Sequence, residues 1–525
     1  MWKKSLVFSG SIVGFALVLI GLVAFQARAA EKETLIIGMQ DPLASLDPAK
    51  AYDVTSLGVT SQLYDTLVRF DEDSAHAKPS LAESWEIGVD GKTWTFHLRK
   101  DMTFVSGNPI NADAVVYSLT RAIELNKDPA WLLTQFGLNK DSIQKVDDLT
   151  ITFTLDRSYA PTLFLSCLGF NVASILDAVA VKAHEQQGDW GSAWLEEHSA
   201  GSGAFILEKR EEGRVALQAN PAYRGDKPAT KNIVVTHVAE PIEQAIQIEK
   251  GGIDVAWDLQ PDQIRRLETL PDIQVFETPT FTTIHFVMNV AFEPLTKPEV
   301  RNAIRYAIDY DGLVDLVLQG AAVKTQSIFP KGMSGYIPDM PYEYNPEKAK
   351  QLLNSAGYPD GVDIELLCLD YAPWVDIAAK IKSDLKNIGI RVKIKQTDIS
   401  GMVDAYVSRN FQLHLWQWQP DYVDPDSNAK ALAHSDKLGD DATIKSVLWF
   451  SHYVNAEIAR LVEDASLESD ESKRDMMYQE IARKIQIDGP FAVLCVSKKP
   501  YAIRFEKQDL LGIPSVLRSN FPPIR

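Results

Sequence analysis

The chain has 525 residues, with 53 basic against 71 acidic side chains and a formal net charge of −18 at pH 7. So acidic a surface argues against nucleic acid or anionic membrane as a partner, since both demand a basic face. The length exceeds what one compact core holds, so two or three domains are expected.

The N-terminus reads as a secretory leader. Lys3 and Lys4 precede an uncharged apolar run from Leu6 to Phe25, and Ala27-Arg28-Ala29 places small residues at the −3 and −1 positions of a cleavage site. The run is also long enough, at about 20 residues, to cross a bilayer as a helix, so an uncleaved anchor is the alternative. Cleavage after residue 29 removes three basic residues and no acidic one. No cysteine lies near the site, so a lipid anchor is not expected, and a freely diffusing periplasmic protein is. Cys167, Cys368 and Cys495 all sit in apolar runs without metal-site spacing. They read as buried free thiols, with Cys368–Cys495 the one pair open to bridging.

After the leader, Thr34 to Met39 is a buried-strand run, and Leu46-Asp47-Pro48 begins a loop. Leu57 to Phe70 reads as a helix with Leu63 and Leu67 one turn apart. Trp85 to Ile87 and Thr93 to Leu98 are β-rich runs separated by the turn pair Asp90-Gly91. Trp94, Phe96 and Leu98 alternate with Thr95, His97 and Arg99, which predicts one buried strand face. Asn111 is placed to cap a helix whose apolar face holds Val115, Leu119, Ala122 and Ile123. Leu149 to Leu155 and Ile233 to His237 are strands, and Glu243 to Lys250 is a helix stopped by Gly251-Gly252. The character changes near residue 290. Thr283 to Asn289 is a strand leading into an amphipathic helix with Pro298 in its first turn and Val300, Ile304, Ala307 and Ile308 as its stripe. Asn345-Pro346-Glu347 opens another helix, ended by Gly357. Val362 to Leu369 is a strand, Ile377 to Ile388 a helix closed by Gly389, and Ile390 to Ile394 a strand. Phe491 to Val496 and Tyr501 to Phe505 read as two further strands. Alternation of this kind builds an α/β sheet.

The block from Glu83 to Arg121 resembles the signature region of extracellular solute-binding proteins of family 5, the peptide- and nickel-type binding proteins of bacterial ABC importers. SLDPAK (45–50), QLYDTLV (62–68), GSGAF (201–205), NPAY (220–223), GGIDVAWD (251–258), EVRNAIRYAIDYDGLV (299–314), YNPEKAKQLLNSAGYPDG (344–361) and IGIRV (388–392) follow in the family's order. The resemblance implies an α/β fold, a two-lobed periplasmic binding protein of type II with an extra insertion domain and a ligand cleft between the lobes. It implies a first lobe over 30–290, with the insertion at about 70–195, a second lobe over 291–495, and a return to the first at 496–525. Two positions depart from the family: Ala204, where Pro is usual, and Gln417, where Gly is usual.

The candidate site centres on Phe411 to Pro425. The strand there ends at Pro420, which donates nothing to a ladder, so Asp421 falls just past a strand end, where α/β sheets tend to bind ligands. Peptide-binding family members carry a similar Trp-x-x-Asp step whose Asp pairs with the ligand's α-ammonium group, and Trp418 and Asp421 stand in that register. A cationic amine in a cleft that excludes water needs an anionic partner. Trp418 and Trp416 would wall the pocket. Asp421 can equally cap the following turn, and Trp416 fits a core side chain as well as a pocket wall. Tyr52, Asp53 and Val54 follow Leu46-Asp47-Pro48 at the spacing of the loop that lies along the ligand backbone in oligopeptide-type members, although an ordinary surface loop reads the same way. Trp131, after Asp128-Pro129, is read first as packing and second as cleft lining from the insertion. Asn289 is assigned to the hinge or the cleft floor.

Signals for catalysis are weak. His184-Glu185 lacks the second His of a zinc-protease helix, Gly201-Ser202-Gly203 is not a nucleophile elbow, and Asp421, Asp424 and Asp426 lack the Gly and Glu of a calcium loop. No cofactor or metal is expected. The sequence points to a monomeric, non-enzymatic carrier that closes on a small peptide and delivers it to an inner-membrane ABC permease. The alternatives are a carrier of a non-peptide solute (opine-like conjugate, oligosaccharide or metal chelate), a secreted peptide hydrolase, or a receptor using the same cleft without transport.

Overall fold

A computed structural model of the chain describes residues 33–70 and 76–510. The leader, with its cleavage site, lies outside the described residues. The main sheet has eleven strands. Its order runs Ile390–Thr397, Val362–Leu369, Leu413–Trp418, Ile273–Met288, Phe491–Arg504, Val255–Ala256, Thr34–Met39, Asn232–His237, Arg214–Ala219 and Phe205–Glu211, with Ala322–Lys324 added against Phe491–Arg504.

Two of these strands organise the rest. Ile273–Met288 has 16 residues and Phe491–Arg504 has 14. They pair antiparallel from Ile273↔Arg504 to Val287↔Phe491, with a register shift between Pro279 and Thr283. On one side of that shift the pair continues through Val255–Ala256 to the N-terminal strand. On the other, Thr283–Met288 takes Leu413–Trp418 as its further neighbour. At roughly 3.3 Å per residue a strand of this length reaches across two lobes. The sequence presents Phe491 to Val496 and Tyr501 to Phe505 as separate strands. They are one strand, and the polar Ser497-Lys498-Lys499-Pro500 lies between its two apolar halves.

A second sheet, ordered Ala82–Ile87, Thr93–Leu98, Thr150–Thr154 and Ile143–Asp147, stands apart. Trp94, Phe96 and Leu98 point into its core, as their alternation predicts, and meet Phe136, Phe153 and Phe164. Gly91 takes φ +67° in the turn between the first two strands. Asn111 caps the helix Ala112–Leu125 by accepting from the Ala114 amide. Asn345 does the same for Pro346–Ser355, and Pro298 opens Pro298–Ala307 at its first turn. The helix expected over 57–70 is instead Val54–Leu63 followed by the strand Val68–Phe70. Its continuation is pre-empted: the Leu63 carbonyl accepts from the Gly203 amide at 3.0 Å, and the Leu67 carbonyl from Ala82. A Cβ on Gly203 would lie 2.4 Å from the Gln62 oxygen, so only glycine allows that approach. All three cysteines are buried and free.

The aromatic layer and the second lobe are also tied directly. Arg474 and Asp424 form a bidentate pair with side chains 6% and 1% exposed. The Thr162 hydroxyl, on the helix Pro161–Leu168, donates to Asp424 and accepts from Arg474. The Ala160 amide donates to the Ser466 carbonyl at 2.9 Å. Breaking one partner from a buried pair leaves an uncompensated charge and costs about 3–5 kcal/mol. Arg474→Met is therefore expected to lower unfolding free energy by about that amount, and Thr162→Val by about 1 kcal/mol, in urea titrations.

His285 and His414 lie on one face of neighbouring strands in the second lobe, each 1% exposed, and among the described residues neither ring meets a side-chain hydrogen-bond partner. Burial pushes His285 down to about 4, and burial with the neighbouring His285 pushes His414 down to about 3. The folded state keeps both rings neutral where the unfolded chain, near 6.5, takes up protons, so stability is full above about 6.5 and is lost as pH falls towards the folded values. His414→Phe is expected to reduce the loss of unfolding free energy between pH 7 and pH 5 by about 2 kcal/mol. An unchanged loss in urea titrations at the two pH values would remove His414 from the account.

Candidate functional site

The site begins with a buried ion pair. Asp47 and Arg121 face each other bidentately at 2.8 and 2.7 Å with both side chains fully buried, and the Ser192 hydroxyl donates to the same carboxylate. This fixes the Leu46-Asp47-Pro48 loop and hence the residues that follow. Asp53 then caps the helix Val54–Leu63, its carboxylate accepting from the Ser56 amide at 2.9 Å. Tyr52, one residue earlier, extends to the other lobe.

There its hydroxyl donates to Asp421 Oδ1 at 2.7 Å. Asp421 is placed by the end of the strand Leu413–Trp418, by Pro420 and by its own amide, which donates to Ser427 Oγ at 2.9 Å. Burial raises the Asp421 carboxyl above its ordinary value, and the Tyr52 hydroxyl works against that rise. Among the described residues Tyr52 is the only side-chain donor to it, and no cation pairs with it. Burial, and then the Asp421 charge, push the Tyr52 phenol up in turn. The Trp131 indole Nε1 donates to the Tyr52 oxygen at 3.2 Å, and its ring lies 6.1 Å from Tyr422. Tyr52, Trp131 and Asp421, far apart in sequence, thus meet as one cluster between the lobes.

The tryptophans of the strand face elsewhere. Trp418 and Trp416 are half-buried against the core of the second lobe. Trp418 donates to Asn428 Oδ1 at 3.2 Å, and Trp416 lies 5.6 Å from His414. Strand alternation turns Gln417 and Gln419 to the opposite face. Those two side chains, with Val54 from the first lobe, border a cavity of about 170 Å³ whose remaining wall comes from the long strands, including Thr282 and Lys499. The Asn289 amide is used within the second lobe, donating to the Arg409 carbonyl and meeting His452 Nδ1 at 2.9 Å. Sequence reasoning missed the hydroxyl and lysine wall. Its signal was the polar Ser497-Lys498-Lys499 interruption of an otherwise apolar strand. Asp424 and Asp426 are committed internally, to Arg474 and to Tyr422 and Lys430. Among the described residues no cluster of three or more His, Cys, Asp or Glu could hold a metal ion, and no helix is long and apolar enough to cross a membrane.

A half-buried carboxylate facing a tyrosine hydroxyl across an inter-lobe gap can hold a cationic group, and the polar cavity beside it can hold a small polar one. Known proteins share the fold. The model of the bacterial extracellular solute-binding proteins, family 5 Middle, matches residues 76–440. A probable D,D-dipeptide-binding periplasmic protein, DdpA, of Escherichia coli K12 is 30% identical over 514 residues, 96% of each chain. The periplasmic binding protein DppA of Helicobacter pylori, solved in complex with the peptide STSA, is 26% identical with a TM-score of 0.75, covering 94% of this chain and 98% of its own. HbpA2 of Haemophilus parasuis superposes with a TM-score of 0.80 at 24% identity, over 93% and 98% of the two chains, and shares the two-lobed fold. A match over most of the chain and a relative aligned along nearly its whole length lead to one conclusion: the chain belongs to the bacterial extracellular solute-binding proteins of family 5.

Proposed function

We propose that the protein is an exported periplasmic carrier, monomeric, that captures a short peptide between its lobes and delivers it to the membrane permease of an ABC importer. The observation that carries this reading is Asp421: a half-buried carboxylate, raised by burial, between the lobes, with a tyrosine hydroxyl and, among the described residues, no cation upon it. A charge in that state is costly unless something completes it, and a peptide α-ammonium group supplies charge and donors together. The E. coli relative is named for D,D-dipeptides and the H. pylori structure holds a peptide, which supports the same class. Tyr52 and Trp131 would wall the amine, and Val54, Gln417 and Gln419 would border the chain that follows it. Trp418 and Trp416 would act from behind, by holding the strand.

Closure on the ligand would proceed by rotation of the lobes about the two crossing strands. We place the crossings at the register shift between Pro279 and Thr283 and at Ser497–Pro500, so that the second lobe starts about ten residues before position 290. Ligand that touches both lobes favours the closed form by its differential affinity for it.

Removing one member of a desolvated charge pair costs about 3–5 kcal/mol, or roughly two to three and a half decades in affinity. Asp421→Asn is therefore expected to weaken binding of an alanine dipeptide or tripeptide about 100-fold or more in calorimetry. The same change is expected to leave the melting temperature unchanged or slightly raised, because it removes a carboxylate whose burial disfavours its charge. Equal affinity of both proteins would end the amine-clamp role.

A further inference from the structure

The Tyr52–Asp421 contact has a third member, which reaches it from the aromatic layer. Trp131 opens the short helix Trp131–Thr134, directly after the turn Asp128–Ala130. The next two residues, Leu132 and Leu133, anchor that helix in the aromatic core. The Trp131 indole Nε1 donates to the Tyr52 oxygen at 3.2 Å, and the Tyr52 hydroxyl donates to Asp421 Oδ1 at 2.7 Å. This relay joins three separate parts of the fold: the aromatic layer, the loop after Asp47, and the end of a strand in the second lobe.

Chemistry fixes its direction. An indole nitrogen only donates, and a carboxylate only accepts. Tyr52, between them, accepts from Trp131 and gives its own proton to Asp421. With the indole hydrogen already on the oxygen, the phenol proton turns away from Trp131 and onto the carboxylate. Hydrogen bonds in such a chain polarise one another, so the first strengthens the second. Both rings are held in place. Tyr52 packs edge-on against Phe170, with ring centroids 6.2 Å apart. Trp131 lies 6.1 Å from Tyr422, and Gln135, one turn further on, accepts from Lys430 of the second lobe at 3.1 Å.

The other charged and titratable groups packed around the contact have partners of their own or are neutral. Asp53, beside Tyr52, caps the helix Val54–Leu63. Tyr422 donates to Asp426, which also pairs with Lys430, and Asp424 pairs with Arg474. Burial holds the Cys167 thiol well above its usual range, so it stands uncharged near Tyr52. Lys127 and Asp128, on the turn before Trp131, are exposed. The Tyr52 hydroxyl is therefore the side chain that sets the charge of Asp421: burial raises the carboxyl, and the hydroxyl opposes that rise.

We infer that Trp131 is a positioning residue of the amine clamp: its indole N–H commits the Tyr52 proton to Asp421, and the aromatic layer thereby keeps that carboxylate anionic for a cationic guest. This rests on the peptide reading above and deepens it. A protonated Asp421 cannot pair with an ammonium group. Loosening the Tyr52 donation lets the carboxyl rise further, so on acidification the affinity is lost at a higher pH.

The test is calorimetry of Ala-Ala with the full mature protein from about pH 4 to about pH 7, where the peptide amine stays charged. Trp131→Phe is expected to raise the midpoint of the acid limb by about half a pH unit, about a threefold loss of affinity on that limb. Trp131→Leu is expected to raise it equally, because the group lost is the N–H and not the ring. Tyr52→Phe is expected to raise it further, and Trp131→Phe added to Tyr52→Phe to move it no more. A midpoint that stays in place in Trp131→Phe, or moves as much in the Tyr52→Phe background, overturns the positioning role. So does an equal loss of affinity at every pH, the mark of lost packing. Trp131 is exposed, so both variants are expected to fold; unfolding of both would make it a structural residue and end the proposal. Asp421→Asn separates this outcome from the peptide reading. If it leaves affinity intact, or no alanine peptide binds wild-type protein, the clamp falls and Trp131 with it. If it weakens binding while Trp131→Phe leaves the midpoint in place, the clamp stands and only the relay falls.

Discussion

Everything in this molecule is arranged about one ladder, the antiparallel pairing of Ile273–Met288 with Phe491–Arg504. The chain crosses between lobes on these strands, and backbone hydrogen bonds join them on both sides of the register shift at Pro279–Thr283. Regular pairing resists shear within each lobe, so a rotation between lobes concentrates where the ladder is irregular. That is also where the strand residues turn polar, at Thr280, Thr282 and Ser497 to Lys499, and where the cavity opens. The irregular stretch of the ladder and the cavity coincide for the same reason: residues there border the gap and cannot belong to either core.

The treatment of buried carboxylates separates structure from site. Asp47 and Asp424 are removed from water, and each receives a bidentate arginine and a hydroxyl. Such pairs roughly offset their own desolvation, and they specify geometry. Asp421 is treated differently. It is half-buried, its carboxyl is raised by that burial, and among the described residues it receives one side-chain donor, the Tyr52 phenol. Asp421 shares the lack of a cation with Asp177, which is instead surrounded by hydroxyl, amide and backbone donors, and differs from it in having a single side-chain donor among the described residues.

Much of the scaffold was legible because local chemistry and tertiary structure agree. Asn111, Asn345 and Pro298 start the helices they announce, Val362–Leu369 has the predicted bounds, and Trp94, Phe96 and Leu98 are buried as their period requires. Legibility failed where distant backbone intervenes. Nothing within Leu57 to Phe70 reveals that Gly203 and Ala82 will claim the carbonyls a helix would have used. In the candidate site, Tyr52 and Asp421 could be named from family spacing and Trp131 only as a second reading of its place after Asp128-Pro129, yet their meeting at 2.7 and 3.2 Å is a property of the fold. The Trp-x-x-Asp register names Trp418, and Trp416 as its neighbour on the same face; both pack half-buried against the core of the second lobe, and alternation brings Gln417 and Gln419 to the cavity. Lys498 and Lys499 escaped notice because a polar interruption of an apolar strand reads locally as a loop.

The lobes also hold each other without help from a guest, through Thr162 with Asp424 and Arg474, Ala160 with Ser466, Lys430 with Gln135, and the Tyr422 ring in the aromatic core of the other layer. A ligand shifts the balance between open and closed only by the difference in its affinity for the two. Contacts of this kind lower the free energy the ligand must contribute to closure, and leave more of its binding energy to appear as affinity. They also set an upper bound on their own strength, since a latch much stronger than a few kcal/mol would keep the gap shut against entry. Thr162 suits that compromise: a neutral hydroxyl shared between two charges gives directionality at about 1 kcal/mol, while the full ion pair of Asp424 and Arg474 stays within one lobe and need not be broken when the gap opens.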